Sequence, residues 1–200
     1  MKKRIFSIFT AVAMILCLAG CQKGVDSEQA KQTNGKIVEM KTIDPPEDGW
    51  TLEQLNEVLY MNDQKIELPL MFSSLEDGYE IRDKEYKYED TTGKVGGYLY
   101  YKDEFIALIT FYEEEADIEI LTMLFLPSLY EPEQDISSYI NINGFGLKSK
   151  FNDLYNTLGN GFTTESGIFL YKIKNSNYII SIPEMENDFS FFFYQDSNEE

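Results

Sequence analysis

The chain has 200 residues, 43% hydrophobic, 14% aromatic and 26% charged, which is one domain's worth of chain with enough apolar content to close a core. That excludes a chain disordered throughout. With 35 acidic residues against 17 basic ones and a formal net charge of −18, it repels phosphate backbones and anionic headgroups, so no nucleic acid partner is expected; a basic protein, a cationic glycan or a metal ion suits it better, unless the charge serves only to keep the domain soluble.

Lys2, Lys3 and Arg4 make a basic start, and residues 5–16 (IFSIFTAVAMIL) a short apolar stretch that closes on small residues and is too short to span a bilayer comfortably. Leu18-Ala19-Gly20-Cys21 follows. This resembles the lipobox of bacterial lipoproteins, where a diacylglyceryl group is attached to the cysteine and a dedicated signal peptidase cuts before it. The resemblance implies a signal peptide over residues 1–20, with Leu18, Ala19 and Gly20 recognised by the peptidase. It also implies a lipidated Cys21 and a body held on the extracytoplasmic face of a cell membrane. One acyl chain, at about 0.8 kcal/mol per buried CH₂, anchors only marginally, whereas two hold stably. Processing would remove three basic residues and Cys17, leaving 14 basic against 35 acidic residues, a charge of −21, and no free thiol or disulfide.

Residues 21–48 read as the lipidated cysteine and a flexible polar tether, stiffened at its end by Pro45-Pro46. Thr51 and Gln54 stand at capping-box spacing, Trp50 and Leu55 where a hydrophobic staple would pack, and Leu52, Leu55, Val58 and Leu59 recur at helical spacing. A helix is predicted over residues 51–61, with Trp50 structural. Asn62-Asp63-Gln64 is a turn, residues 65–70 (KIELPL) an edge strand, and residues 83–94 a loop. Residues 97–101 and 104–112 form a hairpin around Lys102-Asp103, and residues 118–126 a third strand. Residues 127–134 break the sheet. Residues 138–142 are strand-like before a turn at Asn143-Gly144. Phe151, Leu154, Tyr155 and Leu158 then make a helix face ended by Gly159, and residues 168–174, 178–183 and 189–194 are three strands.

The fold class is therefore α+β: antiparallel sheet with short helices on one face, in a first unit over residues 49–134 and a second over residues 135–200 with an acidic tail. Both units read as strand, short helix and three strands, and residues 73–79 match residues 149–155 as S-x-[apolar]-x-D-x-Y. Duplication and a single meandering sheet both fit this order.

Residues 142–159 (INGFGLKSKFNDLYNTLG) combine a glycine turn, a polar helix start and an apolar helix face ending in Leu-Gly. This unit resembles the outer-membrane assembly lipoprotein family (SmpA/OmlA type) and the repeat of the β-lactamase inhibitor proteins. Residues 64–81, with DQKIELPL and LEDGYEI, resemble uncharacterised lipoproteins of clostridia-like bacteria. The resemblances imply a non-catalytic module that binds proteins. The tryptophan-tyrosine pair often expected after Leu-Gly is replaced by Phe169-Leu170-Tyr171, so neither the assembly partner nor the inhibitor target carries over.

The absence of histidine excludes histidine acid–base work, serine–histidine triads and histidine metal sites. Gly93-Lys94-Val95-Gly96-Gly97 lacks phosphate-loop spacing. Nothing calls for a cofactor or metal, and no catalytic residue is singled out. Glu113, Glu114, Glu115, Asp117 and Glu119 read as a solvated turn, or as a weak cation site with no calcium-loop pattern. In residues 189–194 (FSFFFY), alternation places Phe189, Phe191 and Phe193 on one face of a strand and Phe192 and Tyr194 on the other. The second pair, with Tyr98 and Tyr100 as neighbours, forms a candidate partner face unless a helix or loop covers it. The expected function is a membrane-anchored lipoprotein with a binding domain for an envelope protein. A carboxylate-dependent envelope hydrolase and a small-solute receptor for a transporter are the alternatives.

Overall fold

Positive backbone φ at paired turn residues sets the hairpins of this protein. Asn62 and Asp63 (φ 51° and 62°), Lys102 and Asp103 (48° and 70°), and Asn143 and Gly144 (53° and 92°) each close a two-residue connection between antiparallel strands. A computed structural model describes residues 29–33, 36–87, 94–113, 116–185 and 188–195. The lipobox, with Leu18, Ala19, Gly20 and Cys21, lies outside the described residues.

In chain order the elements are β1 (Gln29–Thr33), β2 (Lys36–Met40), α1 (Leu52–Val58), β3 (Leu59–Met61), β4 (Gln64–Lys65), β5 (Leu70–Met71), β6 (Tyr79–Lys87), β7 (Val95–Tyr101), β8 (Glu104–Glu113), β9 (Ile118–Phe125), β10 (Asn141–Ile142), β11 (Phe145–Gly146), α2 (Phe151–Leu158), β12 (Thr163–Glu165), β13 (Ile168–Lys172), β14 (Tyr178–Met185), β15 (Asp188–Phe189) and β16 (Phe191–Gln195). The fold is α+β, with two short helices against antiparallel sheet.

The main sheet has ten strands, eight of them in the order β12-β13-β14-β16-β9-β8-β7-β6, with β15 paired to β14 and β5 to β9 beside that path. The order is the same from either edge: each half runs as a four-strand meander with its first strand outermost and its last at the centre. The halves join where β16 pairs antiparallel with β9, Phe192 opposite Leu124 and Tyr194 opposite Thr122. A smaller sheet, β11-β10-β3-β4, makes a second join, with Asn141 opposite Tyr60 and Ile142 opposite Leu59. A third crosses where the Lys174 amide donates to the Trp50 carbonyl at 2.8 Å. One apolar cluster spans both halves, from Trp50, Leu55 and Phe111 to Phe145, Tyr171 and Phe193. The sheet thus runs through the boundary expected at residue 134.

The capping box is present: the Gln54 amide donates to Thr51 Oγ1 at 3.2 Å and the Thr51 amide to Gln54 Oε1 at 3.0 Å. Trp50 is buried, its indole donating to the Leu158 carbonyl at 3.0 Å. Four expectations need correction. First, α1 stops at Val58 rather than residue 61, because Leu59, Tyr60 and Met61 are all buried as β3. Second, the strand expected over residues 65–70 is interrupted, since the Asn56 amide side chain takes both backbone groups of Leu68, each at 2.9 Å. Third, the loop expected from residue 83 is strand as far as Lys87, because β6 pairs with β7 at the edge of the main sheet. Fourth, the tether is shorter than residues 21–48. β1 and β2 pair with each other, Met40 is buried, and the Ile43 amide donates to Asn143 Oδ1 at 2.8 Å while the Asn143 side chain donates to the Ile43 carbonyl at 2.9 Å.

The seven-residue match also falls on unlike structures. Residues 149–155 lead into α2, whereas residues 73–79 end a 3₁₀ turn (Phe72–Ser74) and enter β6. The correspondence lies in the meanders instead: β6 to β9 after α1, with β3, β4 and β5 between, and β12, β13, β14 and β16 after α2. Within α2 only Leu154 and Leu158 are buried; Phe151 and Tyr155 are exposed at 38% and 39%, with their rings 5.5 Å apart.

Candidate functional site

Period-2 alternation gives the main sheet two faces. Leu99, Ile109, Phe111, Met123, Phe125, Phe191, Phe193, Ile180, Phe169 and Tyr171 point to the core. The opposite face is crossed by one continuous row of paired residues, one from each strand from β6 to β12: Arg82, Tyr98, Leu108, Leu124, Phe192, Ser181, Leu170 and Thr163. A second row runs Gly96, Thr110, Thr122, Tyr194, Ile179 and Lys172. The hydroxyls of Thr110 and Thr122 share a hydrogen bond of 2.7 Å.

Tyr98, Leu108, Leu124, Phe192 and Tyr194 are half-buried, and with Thr110 and Thr122 they line a trough of about 470 Å³ over the central strands. The fold therefore brings Phe192, Tyr194 and Tyr98 to one surface. Tyr100 belongs to the same face, one pleat along β7, where its ring meets Phe105 at 5.8 Å and the Arg82 guanidinium lies 4.3 Å from its centroid. Arg82 also pairs with Glu80 and with Asp103. Leu108, Thr110, Thr122 and Leu124 belong to the face as much as the aromatics, though the sequence alone does not single them out. Their parity on β8 and β9 is readable in the sequence, but which strands lie side by side is not.

A second basin, about 710 Å³, adjoins the first through Tyr98. Its floor is Tyr98, Tyr100 and Phe105, and its rim carries Leu129, Glu131 and Glu133, along with Asp103 and Glu104. Leu129 is 47% exposed, unusual for so apolar a side chain. Below it, the Tyr130 hydroxyl donates to the Ile106 carbonyl at 2.6 Å, and the Tyr139 hydroxyl donates to Glu104 at 3.3 Å and accepts from Gln134. Burial pushes the Tyr139 phenol well above the ordinary tyrosine range, and the Glu104 carboxylate pushes it further in the same direction.

The acidic cluster resolves differently. Asp117 accepts from the Ser73 amide at 3.1 Å, from the Ser73 hydroxyl and from the Ile118 amide, and these bonds hold its carboxyl below the usual range. Glu114 and Glu115 lie outside the described residues. Among the described residues no group of three or more acidic side chains could hold a metal ion, and no helix is long and apolar enough to cross a membrane.

Compared with family models, curated proteins and solved structures, the chain matches none.

Proposed function

We propose that this chain is an extracytoplasmic lipoprotein, anchored through Cys21, whose α+β body binds a protein partner of the cell envelope on the open face of its main sheet, without catalysis. One observation carries the binding part of this reading. The central strands bear aromatic and branched apolar side chains on both faces, although one face already holds the core. A sheet with water on its second face favours polar residues there, whereas half-buried Tyr98, Leu108, Leu124, Phe192 and Tyr194 leave an apolar trough of the kind that marks interaction sites. Aromatic residues supply large contact area at low entropic cost and dominate such interfaces. The net charge of −18 supports a basic protein partner over nucleic acid.

Two experiments test the parts separately. Cys21→Ala should abolish acylation and normal processing; a natural protein that carries no acyl group, or that partitions into the aqueous phase of a detergent extract, would defeat the anchoring claim. For the face, crosslinking in the native cell should yield an adduct that a Phe192→Ser, Tyr194→Ser variant loses while it stays folded. An undiminished adduct would remove the face from consideration.

A further inference from the structure

We propose that the basin formed by Tyr98, Tyr100, Phe105, Leu129, Glu131 and Glu133 seats a lysine or arginine side chain from an extended basic segment of the partner protein. This deepens the protein-binding reading above and rests on it.

The site combines the two features that recognise a desolvated cation, aromatic faces beneath and carboxylates around. Tyr98 and Tyr100 flank Phe105, with ring centroids 6.1 Å and 5.8 Å from it. Asp103, Glu104, Glu131 and Glu133 complete the lining, which includes no lysine or arginine. The chain itself already places one cation at the margin of this site: the Arg82 guanidinium lies 4.3 Å from the Tyr100 centroid, paired with Glu80 and Asp103. That pairing occupies Asp103 and leaves Glu104, Glu131 and Glu133, all exposed, as excess negative charge over the same aromatic floor. An anion is repelled there, and a wholly apolar segment gains nothing from the rim.

The shape selects a peptide over a small free cation. The basin of about 710 Å³ and the apolar trough of about 470 Å³ share Tyr98 in their walls and lie side by side on the sheet face. An extended segment can therefore place a cationic side chain in the first and apolar side chains in the second. A small ammonium ion would fill only part of the first.

The test uses the full chain in mild non-ionic detergent with a fluorescein-labelled peptide of alternating lysine and glycine, read by anisotropy, and an alternating glutamate–glycine peptide as control. The lysine peptide should bind and weaken as salt rises, and the glutamate peptide should not bind. Glu131→Gln with Glu133→Gln should weaken binding about fivefold, and Tyr98→Leu about threefold. Glu47→Gln with Glu165→Gln, two exposed acids outside the basin, should leave binding unchanged. Equal weakening by both glutamate pairs would mean diffuse attraction to an acidic body and would overturn the site. So would tetramethylammonium competing as well as the peptide, or no binding of the lysine peptide. The crosslinked adduct separates the two claims. Lost with Phe192→Ser, Tyr194→Ser but kept with Glu131→Gln, Glu133→Gln, it sinks the cation site and leaves the binding face standing; kept with both, it sinks the binding face as well.

Discussion

Asn143 does more than close a hairpin. Its backbone amide donates to the Val58 carbonyl at 2.9 Å, and its side chain joins Ile43 twice and the Thr157 carbonyl once, so the arm before α1, the end of α1 and the end of α2 meet at one residue. It holds φ at 53°, a region where asparagine is tolerated and alanine is strained. Asn143→Ala should therefore cost about 2–4 kcal/mol in urea unfolding, from three side-chain hydrogen bonds at about 1 kcal/mol each and the left-handed backbone. Asn143→Gly relieves the backbone and should recover about 1 kcal/mol of that loss. An alanine variant as stable as the parent would show that the arm is not held by this side chain.

At the scale of elements, Gly97 shows how tightly β6, β7 and β8 are fitted. A Cβ there would lie 3.0 Å from Ile81 Cγ2 and 3.2 Å from Phe111 Cε1, so the core ring occupies the space where a side chain would stand. Gly97→Ala should destabilise by about 1–3 kcal/mol, seen as a lowered thermal midpoint, and should be partly rescued by Phe111→Leu. Local signals made much of this architecture legible. Lys102-Asp103 announced its hairpin, Asn62-Asp63 and Asn143-Gly144 announced turns but not the short strands that flank them, Thr51 and Gln54 announced the start of α1, and Gly159 the end of α2. β6 is not legible because residues 82–87 (RDKEYK) carry almost no apolar alternation, while the pairing with β7 that makes them a strand is a contact between separate segments. The docking of residues 40–46 was missed for a related reason: Met40 and Ile43 are too sparse to stand out in a polar stretch, and their partners lie far along the chain. The candidate site was half legible. Strand parity assigned Phe192 and Tyr194 to one face, but only long-range pairing sets Leu124 beside Phe192 and carries the row to Tyr98.

For the molecule as a whole, pH and salt act through two opposite populations of groups. Tyr79, Tyr130, Tyr139 and Tyr171 all have phenols raised above the ordinary range of about 10, chiefly by burial. A group whose pKa is higher folded than unfolded contributes stability that is complete below the unfolded value and is lost as pH rises towards the folded one. The fold should thus hold unchanged to about pH 10 and then unfold cooperatively, with these four phenols ionising at 295 nm together with the loss of far-ultraviolet dichroism. Phenolate appearing in full before the dichroism changes would contradict their burial. The exposed carboxylates act differently: with a net charge of −18 the folded body repels itself, so the thermal midpoint should rise between low salt and physiological salt.

The double join of the halves, β16 on β9 and β10 on β3, has a kinetic consequence. Strand pairing at two places, in two different sheets, opposes hinging between the halves, so the trough meets an incoming chain already assembled. Capture by such a preformed cradle should follow simple second-order kinetics, its observed rate climbing linearly with peptide concentration and never levelling off at a slow internal step.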